Sequence, residues 1–392
     1  MLQNVMKFTQ QISTGAFLII LMIVAGCTVD NVEISPTESE EVANRAVAND
    51  SLTPTFEVNS TISTKVTTPA LIDAELSIEL VPALDSRWAL IPERINELQG
   101  LNTIAVSPDG DLFAAVESYD ETSKIYLWEV ATGSARWVIE LDQPLATTKL
   151  VFSPDSSQLA VGTSEAVPYI FVWDVHTGNL LHHFLYPAYT RDMSFSTDSG
   201  LLAVAGIFPG KITIWDLDSE SVNEIGEGNA VSFVPGVANS VVAVAGERQF
   251  ESELPSVYLL DLNNGQQQSF FPNDFFADGV AVSHDGQYLA TFVSNQEGYG
   301  NLRVVDLRNN VELDLEANEI RQAQQIRQIT FSNHGQLGVL QRDLTVWNVE
   351  ENLLGSIDAL EVKGFLFTPD GSYLITFGNF QTLPEIWKLP LP

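Results

Sequence analysis

Seven copies of one pattern recur about every 43 residues, each with a turn marker and a second marker some twenty residues on. Together they predict an all-β fold: a seven-bladed β-propeller of four-stranded antiparallel blades. The turn marker reads Ser107-Pro108-Asp109-Gly110, Ser153-Pro154-Asp155-Ser156, Ser196-Thr197-Asp198-Ser199, Ser283-His284-Asp285-Gly286, Ser332-Asn333-His334-Gly335 and Thr368-Pro369-Asp370-Gly371, with a degenerate copy at Val234-Pro235-Gly236. Ser, Pro, Asp and Gly in that order suit the four positions of a type I turn. An apolar–small–apolar triplet precedes each turn, as in Ile104-Ala105-Val106 and Val231-Ser232-Phe233. That alternation is strand-like.

The second marker is Leu127-Trp128-Glu129-Val130, Val172-Trp173-Asp174-Val175, Ile214-Trp215-Asp216-Leu217, Leu259-Leu260-Asp261-Leu262, Val304-Val305-Asp306-Leu307, Val346-Trp347-Asn348-Val349 and Ile386-Trp387-Lys388-Leu389. Five of the seven tryptophans occupy this slot, and successive copies lie 45, 42, 45, 45, 42 and 40 residues apart. Each blade then has strands a to d from the axis outward, blade one using 101–107, 111–117, 124–130 and 135–141. The Trp-Asp dipeptides at 173–174 and 215–216 carry a resemblance to the WD40-repeat family, over roughly residues 87–392. What that resemblance implies is a scaffold that binds other proteins without chemistry of its own.

The last copy ends on its third strand at Lys388. Blade seven therefore needs an outer strand from elsewhere, and Arg87–Arg94 is expected to supply it, with Trp88 and Leu90 facing the blade. Such a join would close the ring with an N-terminal strand and leave few open edges. The propeller is accordingly placed at 86–392.

Residues 1–26 read as a signal peptide. Lys7 precedes an apolar run, Ala16–Ala25, that is too short to span a bilayer. The run ends Val24-Ala25-Gly26-Cys27, which resembles the bacterial lipoprotein lipobox. The resemblance implies a lipid-modified Cys27 with more than one acyl chain, such as palmitate, as stable anchoring requires. It also implies an extracytoplasmic protein of the cell envelope; Thr28, in place of Asp, suggests outer-membrane sorting where two membranes exist. Residues 27–85 read as a disordered linker: Thr28–Ala70 holds thirteen Ser or Thr, seven Asp or Glu, and Phe56 as its one aromatic; within it 71–85 is ambiguous, since Leu76, Ile78 and Leu80 alternate and could pack on the domain. A flexible chain of that length spans about 40 Å end to end.

Composition narrows the partners. With 51 Asp plus Glu against 18 Lys plus Arg, the formal net charge is −33. A surface so acidic repels phosphate backbones, so no nucleic-acid partner is expected. The single cysteine excludes an intrachain disulfide and a Cys-rich metal site. The turn residues Asp109, Asp155, Asp198, Asp285 and Asp370 read as turn formers. Of the five histidines, His284 and His334 fall in a–b turns, His176 in a c–d turn, and His182 with His183 in an outer strand. None belongs to the face of the longer b–c and d–a loops, so no histidine metal site or general base is expected there. No cofactor is expected either. The loop acids Asp120, Glu165, Glu247 and Glu297 leave carboxylate chemistry open.

The longer-loop face offers a candidate binding set: Arg248 and Phe250, Phe275 and Phe276, Tyr299, and Tyr186, Tyr189 and Arg191. Exposed aromatics beside Arg anchor many protein interfaces; rings tucked under their loops are the alternative. Three readings compete. The first is a membrane-anchored scaffold for another protein, not an enzyme. The second is a carboxylate- or Ca-dependent hydrolase or lyase acting on glycans or lactones. The third is a purely structural envelope protein.

Overall fold

The propeller lies within one unit, Phe56–Pro392. The computed structural model describes residues 66–67, 79–81, 88, 90–96, 98 and 101–389, apart from 120–121, 142–146, 165–167, 208–209, 237–240, 247–256, 272–275, 295–299, 316–326, 342, 350–351, 359–361 and 379–383. Cys27 and the signal and linker readings up to residue 65 lie outside the described residues. Among those described, no helix is long and apolar enough to cross a membrane.

The chain enters through β1 (Val66–Thr67), β2 (Glu79–Val81) and a short helix α1 (Leu90–Asn96). Blade one comes next as β3 (Leu101–Val106), β4 (Leu112–Tyr119), β5 (Thr122–Glu129) and β6 (Ala135–Leu141). Blade two is β7 (Thr147–Phe152), β8 (Gln158–Thr163), β9 (Tyr169–Asp174) and β10 (Leu180–Leu185). Blade three is β11 (Tyr189–Phe195), β12 (Leu201–Ile207), β13 (Lys211–Asp216) and β14 (Ser221–Glu227). Blade four is β15 (Ala230–Phe233), β16 (Val241–Ala245), β17 (Val257–Asp261) and β18 (Gln267–Phe270). Blade five is β19 (Phe276–Val282), β20 (Tyr288–Ser294), β21 (Gly300–Asp306) and β22 (Val311–Asp314). Blade six is β23 (Gln328–Phe331), β24 (Gln336–Leu340), β25 (Asp343–Asn348) and β26 (Asn352–Asp358). Blade seven runs β27 (Val362–Phe367), β28 (Tyr373–Gly378), β29 (Glu385–Lys388), with β2 as its outer strand. The predicted all-β architecture of seven four-stranded blades is what the structure has.

The closing strand lies elsewhere than expected. Glu79–Val81 pairs antiparallel with β29, Glu79 opposite Lys388 and Val81 opposite Ile386. The segment expected to do this, 87–94, instead leads into α1. Trp88, Ile91 and Ile95 recur at the helical spacing of three and four, so one stripe of the helix is apolar. Pro92 falls in the first turn, where its missing N–H has no helical partner to lose. Trp88, Ile91 and Ile95 are buried with Phe113 and Trp128 of blade one and Ile375, Phe377 and Ile386 of blade seven. The helix thus wedges between the first and last blades. A further addition sits on blade five, where Val66–Thr67 runs parallel to β22 as a fifth strand.

The core lies between blades. Leu127 and Val116 of blade one meet Leu159 and Trp173 of blade two, and Val172 and Phe184 of blade two meet Val204 and Trp215 of blade three. The second strands are covered on both faces, β20 and β24 along their whole length. This accounts for continuous apolar runs such as Val241–Ala245, where alternation would mark a half-exposed strand. Trp128, Trp173, Trp215 and Trp347 of the repeated slot are all buried.

One hydrogen-bonded turn is stamped out around the ring. In blade two Ser153 Oγ donates to Asp155 Oδ1 at 2.6 Å, and the same oxygen accepts the Ser157 N–H at 3.0 Å. The Gln158 N–H donates back to Ser153 Oγ at 2.9 Å. Ser107–Asp109, Ser196–Asp198, Ser283–Asp285 and Thr368–Asp370 repeat the bond. The fourth turn position is left-handed, which favours glycine. Where it is serine (Ser156, φ 60°; Ser199, φ 63°), the hydroxyl accepts the N–H of Asp109 or Asp155 in the preceding blade's turn. These aspartates are turn formers, as read from the sequence.

Burial opposes ionisation of Asp155 and Asp285, yet the bonds from Ser153, Ser157, Ser283 and the Gln287 N–H outweigh it and hold both carboxyls below the usual aspartate range. A carboxyl depressed by folding stabilises the protein above its unfolded pKa of about 3.9 and loses that contribution as pH falls through the folded value. The double variant Asp155→Ala, Asp285→Ala should therefore melt several degrees below the parent at pH 7. That gap should narrow steadily below pH of about 4. A gap that stays constant down to pH of about 2 would refute the assignment.

Candidate binding site at the channel mouth

The first strands β3, β7, β11, β15, β19, β23 and β27 touch one another in succession, and β27 returns to β3. They ring the axis, and each leaves one edge without a strand partner. Side chains of the preceding blade satisfy part of that edge. Asp192 Oδ2 accepts the Val231 N–H at 3.2 Å and Ser194 Oγ accepts the Phe233 N–H at 3.0 Å. Between blades six and seven, Gln328 accepts the Phe365 N–H at 3.1 Å and donates to its carbonyl at 2.7 Å.

Five of the seven first strands slip register at their outset, between Leu101 and Thr103, Thr147 and Lys149, Thr190 and Asp192, Asp278 and Val280, and Val362 and Gly364. An extra residue of this kind re-aims side chains at a barrel or channel rim. In blades three and seven it is Arg191 and Lys363. The strands begin on the b–c and d–a side, so the device acts at that mouth of the channel.

The channel interior forms two compartments. The larger, about 510 Å³, is lined by first strands of blades one, two, six and seven and includes Lys149, Arg191, Arg327 and Lys363. Among the described residues, no Asp or Glu lines it. The smaller, about 300 Å³, shares Lys149, Arg191 and Arg327 and adds Asp192 and Asn229. Lys149 Nζ lies 2.8 Å from Asp192 Oδ1, and Arg191 pairs with the nearly buried Asp278 of blade five. Arg327 donates to the Val362 carbonyl at 2.8 Å.

The sequence-derived binding set divides. Tyr189, 39% exposed, stands at the rim two residues before Arg191. Phe276 is half-buried at the start of β19, opposite Ser294. Tyr186, expected on the surface, is core: it is fully buried, and its hydroxyl donates to the Lys211 carbonyl at 2.6 Å. Burial pushes its phenol pKa up, as does the charge of Glu224. Arg248, Phe250, Phe275 and Tyr299 lie outside the described residues, as do Asp120, Glu165, Glu247 and Glu297. Of the histidines, His284 reaches the channel, at its a–b turn end.

Lys149, Arg327 and Lys363 were missed by reading loops one at a time. A signal was present. Counting back five from the first residue of each turn marker gives Asn102, Thr148, Arg191, Asn229, Asp278, Arg327 and Lys363, a polar residue in every blade. Such a column at the head of otherwise apolar strands marks the channel rim; it picks out Arg191, Arg327 and Lys363, and in blade two it falls on Thr148, next to Lys149.

Strand order, blade number and closure together define a seven-bladed β-propeller. No protein-family profile matches the chain. Among solved structures, it is similar to the β-propeller domain of Myceliophteria thermophila Cps50 (Swd1), with a TM-score of 0.58 at 12% identity. That likeness covers 74% of this chain and 97% of the other.

Proposed function

We propose that the protein is an interaction platform, held outside a membrane by lipid on Cys27, whose b–c and d–a face receives another protein at the channel mouth. The observation that carries this reading is the rim itself. A repeated bulge sets Arg191 and Lys363 at the opening, beside Lys149, Arg327 and the exposed ring of Tyr189. Arg and Tyr side chains presented by a rigid frame are the usual anchors of protein interfaces. The Val24–Cys27 sequence supports the anchor, and the closed ring of β-blades supports binding without rearrangement.

Photo-crosslinking tests the platform. A crosslinking residue at position 189 of the full chain should trap one discrete protein in envelope preparations, and one at position 111, on the opposite face, should not. Equal labelling from both positions would sink the reading. For the anchor, Cys27→Ala should move the protein from the membrane to the soluble fraction and remove the acyl mass.

A further inference from the structure

We propose that the larger compartment of the channel is a carboxylate-binding site framed by Lys149, Arg191, Arg327 and Lys363. The inference deepens the platform reading by naming the chemistry the mouth receives, and it rests on that reading only for the carboxylate's source.

Charge distribution is the first ground. The chain carries nearly three acids for every base, so a lining drawn at random would be acidic. Among the described residues, this one holds four bases from four different blades and no acid. Their placement is also built: Arg191 and Lys363 are the inserted residues of two bulges, Lys149 follows a third, and Arg327 immediately precedes β23. A low-dielectric wall around clustered cations focuses their field on the space between them.

The chain itself shows which anion fits. Lys149 and Arg191 each already hold a carboxylate, Asp192 and Asp278, at the side of the mouth. On the blade-six side, Arg327 is exposed and forms no ion pair among the described residues. Its planar fork has donors beyond the one given to Val362, and a carboxylate matches two of them at once.

Size and charge select among anions. About 510 Å³ falls within the range of small-ligand clefts, roughly 300–1,000 Å³. A nucleic-acid strand would have to cross a surface of net charge −33. A single carboxylate, on a small acid or at the tip of a partner's side chain, enters with little of that repulsion.

The test is titration of the full chain, in detergent, with citrate and separately with a hexaglutamate peptide, followed by calorimetry. Saturable binding of at least one is expected, weakened about tenfold or more in Arg327→Ser, Lys363→Ser, as loss of charge-assisted bonds requires. Both residues are exposed, and the Ser variant gives up the Arg327 bond to the Val362 carbonyl, so it should stay folded with a small loss of melting temperature, while Arg327→Lys, which keeps the charge but not the planar fork, should bind with an affinity between parent and Ser variant. Binding of both probes assigns the site to free acids as well as peptides; binding of the peptide alone assigns it to a partner's acidic segment. Failure of both to bind, or equal affinity in the Ser variant, overturns the proposal. Because no partner protein enters the titration, its outcome stands apart from that of the crosslinking.

Discussion

Removal of Glu79–Val81 should lower the melting temperature by roughly 5–10 °C and make the protein prone to aggregate. The three residues are the outer strand of blade seven, paired in register with Ile386, Trp387 and Lys388. Their ladder contributes about 1 kcal/mol per hydrogen bond, and for a domain of this size each kcal/mol moves Tm by about 2–4 °C. The pairing also joins the start of the propeller to its end. Without it β29 becomes an open edge, able to pair with another molecule. Calorimetry of the full chain lacking 79–81, beside a control lacking the three residues 72–74, reads the effect. If the two deletions melt together, the closure has been placed wrongly.

Trp88→Ala should be the most damaging single substitution, at about 3–5 kcal/mol. The indole is completely buried and touches the clusters of blades one and seven together, so its loss leaves a cavity at the seam of the ring. Its Nε1 also donates to Asp370 at 3.4 Å, tying the seam to the last a–b turn. Trp88→Phe keeps most of the packing and drops that bond, and should cost much less. Denaturant unfolding gives both values. A loss under about 1 kcal/mol for Trp88→Ala would mean that the seam collapses around the vacancy and that the wedge is dispensable.

Blade number and strand positions were legible because their signals are local. A Ser-Pro-Asp-Gly turn and an alternating triplet need no knowledge of the rest of the chain, and the strands of blade one fall within two residues of the expected positions. The closing strand had a weaker signal: Leu76, Ile78 and Leu80 alternate and could pack on the domain, but the role of residues 79–81 exists only once β29 is in place. Over 87–94, Trp88 and Leu90 suggested alternation, but the longer record of Trp88, Ile91 and Ile95 has helical spacing and proved the stronger. Tyr186 reads as a surface anchor because it follows an outer strand; the Lys211 carbonyl that holds its hydroxyl comes from the next blade, beyond the reach of any local signal. The basic mouth is a property of the column formed by Arg191, Arg327, Lys363 and their equivalents, and each of these looks ordinary in its own loop.

The two strand additions also set an order of mechanical failure. Tension on the chain upstream of Val66 first meets a two-residue parallel pairing on blade five; the three-residue antiparallel pairing on blade seven is loaded only after that has parted. The outer addition is thus a sacrificial clasp, spent before the ring's own seal is strained.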